Sequence, residues 1–386
     1  MKRPHVGGKN RKWTGFLLPG LLLLAGTACD FKLPSPPPDL LYKFNVVNVG
    51  QGPACLVTAD LDLDGWADLV SANTKDSTLS ILYGHGDGTF DSPLSIPVPA
   101  EPTSLVVDDV NRDGFADILT NSRGAHVVTV LLGRAKRSFY PAHPIPTGKV
   151  PLALAVGHFN EDNNLDLAVT LTFDKVEIYL GTGDGSFKKG MTYGTGSRSF
   201  SVLAQDFNGD GRADLVLATT SSNASGIRLF PGNGDGTFAS PRRMAQGLMP
   251  LTVIAKDMND DGKPDLLFAA GQGDNMYLML SNGDGAFRKE IPFSGGGGPI
   301  ALVAEHFNDD ALLDVAVANS RSSSFSLILR TAKGGFHYPT RDYVVDGGTP
   351  LTITSGDYNG DGMKDVAVAS NFNNSVEIYL QRRILG

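Results

Sequence analysis

Asp206-Phe207-Asn208-Gly209-Asp210-Gly211-Arg212-Ala213-Asp214 is an acidic loop followed by the apolar runs Leu215 to Ala218 and Ile227 to Phe230. The turn Gly232-Asn233-Gly234-Asp235-Gly236-Thr237-Phe238 comes next. Runs this short, bounded by Gly, Asn and Asp, read as strands, and no 3.6-residue apolar period competes with that reading. Outward from this unit the same order recurs, with loops opening at Asp60, Asp109, His158, Asp206, Asp257, His306 and Asp357, 48 to 51 residues apart. Three clear strands and a weaker one after the Phe make four per unit, the layout of a propeller blade. The expected fold is therefore all-β, a seven-bladed β-propeller occupying residues 44–386.

A propeller has to pair its last edge strand. The seventh unit stops after its third run, Val376-Glu377-Ile378-Tyr379-Leu380, without a Gly-Asp-Gly turn or a fourth strand. Phe44-Asn45-Val46-Val47-Asn48-Val49-Gly50 stands before the first loop where Phe90 to Ala100 stands before the second. This segment is expected to be the outer strand of the last blade, latching the ring.

Composition narrows the function classes. In 386 residues there are 33 Lys and Arg against 41 Asp and Glu, a net charge of −8, with 8% aromatic and 19% charged residues. That is too apolar for a disordered chain and too mixed for a polytopic membrane protein. The acidic balance offers no nucleic-acid footprint, and 2 Cys cannot staple such a body. Rigidity must come from packing or from metal.

The loops supply the donors for metal. Oxygen side chains at positions one, three, five and nine, Gly at six and a backbone carbonyl at seven suit a hard cation with six to eight oxygen ligands at about 2.4 Å, which points to Ca²⁺. The candidate ligands are Asp60, Asp62, Asp64, Trp66 and Asp68; Asp109, Asn111, Asp113, Phe115 and Asp117; Asp206, Asn208, Asp210, Arg212 and Asp214. Asp257, Asn259, Asp261, Lys263 and Asp265, and Asp357, Asn359, Asp361, Met363 and Asp365, complete five sites, the seventh-position residue in each serving through its carbonyl. The loops are flanked by strands and have no Glu at position twelve, so they are not EF-hands. The third and sixth loops open on His158 and His306 and replace the turn Gly with Asn163 and Ala311. They are expected to be metal-free, each His hydrogen-bonded locally.

The N-terminus is a separate object. Lys2, Arg3, Lys9, Arg11 and Lys12 precede an apolar stretch centred on Leu21 to Leu24, an n-region and h-region of a signal peptide over residues 1–28. Gly26-Thr27-Ala28-Cys29 resembles a bacterial lipoprotein signal, which implies lipidation of Cys29 and export to a bacterial membrane, periplasmic or at the cell surface. Plain secretion after cleavage near Ala28 is the alternative. Residues 29–43, with Pro34, Pro36, Pro37 and Pro38, read as a stiff tether. Losing the five basic residues takes the net charge from −8 to −13, and five Ca²⁺ would bring it to about −3.

The Asp-x-Asn-x-Asp-Gly-x-x-Asp loop and the Gly-x-Gly-Asp-Gly-x-Phe turn (Gly84 to Phe90, Gly181 to Phe187, Gly232 to Phe238) resemble the FG-GAP, or VCBS, repeat. That family builds the propeller of integrin α-subunits and of many bacterial surface proteins, and the resemblance implies calcium in the loops. It also implies that partners dock on the opposite face, formed by the loops between second and third strands. Phe173, Phe372, Arg123 and Arg321 are the candidates there. The expected function is a monomeric, non-catalytic adhesion or scaffold module binding protein or polysaccharide, with membrane contact through the lipid alone. The alternative is a carbohydrate-active enzyme, a polysaccharide lyase or hydrolase using the central funnel. No His-Glu-x-x-His or Gly-x-Ser-x-Gly motif supports the latter. Gly295 to Gly298, with no following Lys or helix, reads as a flexible connector.

Overall fold

A computed structural model describes residues 39–220, 224–271, 273–338 and 340–382. The expected signal peptide, Cys29 and the tether up to Pro38 lie outside the described residues, as do the loop residues Ser221, Ser222, Asn223 and Gln272. The described residues belong to one compact unit that begins at Asp39.

Seven four-stranded antiparallel sheets form, one for each repeat. Blade 4, for example, runs Ser199–Gln205, Asp214–Thr219, Gly226–Phe230 and Arg242–Met244 from first to outer strand. Each second strand is buried at every position because blades pack on both of its faces, which is why these strands are rich in Val, Leu and Ala after their opening Asp. Outer strands such as Leu94–Pro97 and His143–Pro146 are largely exposed.

The core is accordingly divided into seven clusters, each lying between two consecutive blades. The cluster between the last blade and the first joins Leu56, Leu69 and Leu82 to Tyr358, Val376, Ile378 and Leu380. Truncating a buried Leu such as Leu82 to Ala there would cost about 3 kcal/mol.

The ring closes as expected. Leu41–Asn48 pairs antiparallel with Ser375–Gln381, the third strand of blade 7. Its pairing starts at Leu41, upstream of the Phe44 boundary, and Leu41 N–H donates to the Tyr343 hydroxyl at 3.2 Å. Lys43 lies opposite Tyr379, as Lys189 of the outer strand of blade 3 lies opposite Tyr179. The chemistry repeats too. Lys43 Nζ is 2.6 Å from Oε2 of the fully buried Glu377, and Lys189 makes the same ion pair with Glu177. The N-terminal segment thus reproduces the internal outer strand of a blade, charge for charge.

Two details differ from the sequence expectation. In blade 1 the outer strand is only Leu94–Pro97, and Phe90 instead bridges back to Gly84 to close the Gly-Asp-Gly turn. Gly295 to Gly298 is a hydrogen-bonded link, not a loose connector: Gly295 and Gly298 amides donate to the Asp274 carbonyl and Oδ1 at 2.8 and 3.1 Å. At Gly296 (φ 95°) a Cβ would stand 2.4 Å from Asn319 Nδ2, so packing demands glycine there.

Candidate ion loops and the opposite face

The ninth-position aspartates are fully buried in all seven loops. Asp214 shows the reason: Oδ2 accepts the Phe207 amide at 3.0 Å and Oδ1 accepts the Gly232 amide at 2.8 Å. The carboxylate therefore ties its own loop to the start of the turn after the third strand. Asp166 and Asp314, in the loops that open on His, make the same pair of bonds. This clamp does not depend on the first-position carboxylate, and its persistence in the His loops is the sequence signal for it. In the fourth loop Asp214 Oδ1 also accepts the Asn208 side-chain amide at 3.2 Å. Burial pushes Asp68 and Asp117 up to about 6 and Asp314 and Asp365 up to about 7, against the opposing pull of the amides.

Positions one, three and five form a chain of turns. In the fourth loop the Gly211, Asp210 and Arg212 amides donate to Asp206 Oδ2, Asn208 Oδ1 and Asp210 Oδ1, at 2.8, 2.9 and 2.9 Å. The other four loops of this type repeat the bonds from the sixth-position amides to Asp60, Asp109, Asp257 and Asp357. Their fourth positions are left-handed even where the residue is Leu63, Arg112 or Asp260. A non-glycine residue there costs about 1 kcal/mol, which something at the loop must offset.

The first loop carries the clearest unmet demand. Carboxylate oxygens of Asp60, Asp62 and Asp68 lie within 4.8 Å of one another, and Asp60 Oδ1 is buried with no hydrogen-bond partner among the described residues. An all-oxygen donor set with an orphaned buried oxygen fits a hard divalent cation. The loop also differs from its relatives. Asn111, Asn259 and Asn359 donate their amides to the fifth-position carboxylate, but Asp62 cannot. The missing donor arrives from the turn of blade 2, Gly133 to Phe139, which lacks the Gly-Asp-Gly sequence. Arg137 Nε is 2.5 Å from Asp62 Oδ2, Nη1 is 2.6 Å from Asp91 Oδ2, and the guanidinium lies 4.5 Å over the Tyr83 ring. Sequence reasoning missed Arg137, which stands 75 residues from Asp62.

In the third and sixth loops the first-position imidazole turns inward. His158 Nδ1 is 3.0 Å from the Asn164 carbonyl and His306 Nδ1 is 3.0 Å from the Leu312 carbonyl. These are the seventh-position carbonyls, assigned to the ion in the other five loops. Only the sixth position is left-handed here, at Asn163 (φ 60°) and Ala311 (φ 57°).

On the opposite face, Phe173 and Phe372 are 71% and 67% exposed at loop tips, with Lys149 Nζ 5.6 Å over the Phe173 ring. Arg321 is committed elsewhere: it pairs with Asp274 and donates to the Gly273 carbonyl at 3.0 Å. Arg123 lines an axial cavity of about 520 Å³. The walls of that cavity come from a device repeated in every blade, a register shift just inside the start of the first strand. Such a bulge re-aims a side chain. The residues so placed include Leu152, Phe200, Leu251, Ile300 and Leu351, giving the mouth an apolar lining that sequence reasoning did not single out. Its sequence signal is the residue after Pro151, Pro250, Pro299 and Pro350.

A seven-bladed ring of acidic loops with this turn chemistry defines an FG-GAP propeller. The chain belongs to the FG-GAP-like repeat family, whose model matches residues 60–120, 158–217, 206–268, 257–305 and 306–368. Each match opens on the first residue of a loop, two of them on His158 and His306. Among curated protein sequences none matches. Among solved structures the chain is similar to BBS1N in complex with ARL6DN, with 12% identity, 89% of this chain and 97% of that chain covered, and a TM-score of 0.62. It is also similar to an Agrocybe aegerita lectin that recognises non-reducing terminal N-acetylglucosamine (18% identity, 82% and 85% covered, TM-score 0.55). A third is a catalytically inactive virginiamycin B lyase from Staphylococcus aureus with quinupristin (13% identity, 89% and 99% covered, TM-score 0.59). At these identities the likeness shows the fold alone.

Proposed function

We propose that the protein is a calcium-stabilised, non-catalytic binding or scaffold module that recognises a protein or glycan through the face opposite the acidic loops. The observation that carries this reading is the apolar axial mouth, where the bulge residues Leu152, Phe200, Leu251, Ile300 and Leu351 converge on one cavity, on a face whose loops also expose Phe173 and Phe372. Exposed aromatic groups around an apolar centre are what partner surfaces use. The similarity in fold to BBS1N in complex with ARL6DN and to a lectin that recognises terminal N-acetylglucosamine supports a protein or a glycan as the partner.

Calcium belongs to this reading as the stiffener of the other face. When bound, it would neutralise carboxylates of the five Asp-headed loops, of which Asp60, Asp62 and Asp68 already converge. The chain's own residues hold the cradle through the ninth-position clamp and the amide-to-carboxylate turns. Cys29 would carry a lipid that displays the ring at the outer side of a bacterial membrane, and detergent-phase partition lost in Cys29→Ser checks that point.

A glycan array and a panel of purified surface proteins, probed in calcium with the wild type and with Phe173→Ala, Phe372→Ala and Leu251→Asp, test the function. Binding that falls at least about tenfold in the variants supports it. Equal binding by all four proteins, or polysaccharide turnover abolished by Thr252→Ala in the funnel, overturns it.

A further inference from the structure

Arg228 sits in the third strand of blade 4, opposite Leu217 on one side and Arg243 of the outer strand on the other. Its register matches Glu177 of blade 3, opposite Val169, and Glu377 of blade 7, opposite Val368. Those two buried carboxylates are neutralised by Lys189 and Lys43. Blade 4 places a cation at the same depth, only 3% exposed, and sets a second cation beside it. Among the described residues no carboxylate forms an ion pair with Arg228 or Arg243. Burial first, then the Arg243 charge, lowers the Arg228 pKa, and the Asp174 charge opposes this less.

A buried charge without a counter-ion is costly, and its neighbours show the demand unmet. Arg228 Nη2 donates to the Ala224 carbonyl at 3.2 Å, but Nε is buried with no hydrogen-bond partner. The Ser225 hydroxyl, on a residue 5% exposed, has none either. Both residues line a cavity of about 320 Å³ together with Arg243 and Gln246. Donors reach it from two guanidinium groups, a hydroxyl and an amide on different segments, a spread that suits a tetrahedral ion with two charges better than a planar carboxylate.

We infer that this cavity between the third and outer strands of blade 4 binds a tetrahedral oxyanion, sulfate or phosphate, free or as the ester group of a larger ligand. The site lies at the loop-face end of the blade, yet it stands on burial and charge alone and needs neither calcium nor the apolar mouth. The volume leaves room for a sugar ring behind an ester.

Thermal unfolding and calorimetric titration of the full chain test it, in sodium sulfate, sodium phosphate or sodium chloride at matched ionic strength, and with a sulfated monosaccharide beside its unsulfated parent. Sulfate or phosphate should raise the wild-type midpoint by several degrees beyond chloride and bind at one saturable site. Arg243→Gln, at a more accessible position, should weaken binding at least about tenfold. Arg228→Met should abolish it while melting in chloride no lower than the wild type, because the uncompensated charge is gone. Binding of the sulfated sugar assigns the ester as the source, and binding of the inorganic ions alone assigns the free anion. Equal responses of all three proteins, the general effect of kosmotropic salt, would overturn the inference, as would the absence of saturable binding. Failure here leaves the reading built on Phe173 and Phe372 intact, since that one is scored on different variants.

Discussion

His158 donates its Nδ1 proton to the carbonyl of Asn164 at 3.0 Å, and His306 does the same to Leu312 at 3.0 Å. An imidazole N–H thus satisfies the seventh-position carbonyl, which in the five Asp-headed loops is the expected ion ligand, and the loop needs one left-handed residue instead of two. Restoring the acidic pattern should restore the cradle. The pair His158→Asp with Asn163→Gly is expected to bind one more calcium ion than the parent, counted by equilibrium dialysis. An unchanged count would mean that the histidine is not what replaces the ion.

Asp210 and Asp162 occupy the fifth position of adjacent loops, and each accepts one seventh-position amide at 2.9 Å. Replacing either with Ala removes this hydrogen bond, and Asp162→Ala also frees the Asn160 side-chain amide, which donates to Asp162 at 3.3 Å, so the part of the difference that appears only with calcium isolates the metal. In millimolar calcium Asp210→Ala should melt well below Asp162→Ala, and in chelator that gap should close, because ligand binding adds stability only where a site exists. Coincident melting in both conditions counts against calcium at Asp210.

Lys43 is the counter-charge of the fully buried Glu377 across the ring-closing pair of strands. Lys43→Met should cost on the order of 3 kcal/mol in urea unfolding, since it leaves a buried carboxylate uncompensated. Adding Glu377→Gln should recover most of that loss. A loss near 0.5 kcal/mol, the scale of an exposed pair, would show that the latch is held by backbone pairing alone.

Burial raises Asp314 from 3.8 to about 7 in a loop that holds no acid at its first position. The folded state keeps this proton over a range in which the unfolded chain has lost it. The stabilisation is therefore complete below 3.8 and disappears as pH rises through about 7. The stability difference between the wild type and Asp314→Asn should shrink steadily from pH 4 to pH 7 and then level off. A difference independent of pH would place the ionised form in the fold.

What could be read before folding, and what could not, divides along the range of the interaction. The loops, the turns and the latch are written in local patterns, since Asp, Gly and alternating apolar residues act on their own few neighbours. Even the pairing of Leu41–Asn48 with the last blade followed from a missing strand at one end and a spare one at the other. Arg137 on Asp62, Arg228 beside Arg243 and the apolar mouth at Leu251 were hidden because each depends on strand register or on contact between blades. The ninth-position clamp was half visible: Asp166 and Asp314 persist where the first aspartate does not.

Isothermal titration of the metal-stripped protein with calcium reaches the foundation of this reading. About five ions should bind with dissociation constants of about 10⁻⁴ to 10⁻³ M, and the melting midpoint should rise in step with occupancy. No saturable heat at ten times that concentration, with a midpoint indifferent to chelator, would mean that the acidic loops are held by their own hydrogen bonds and that the ring needs no metal.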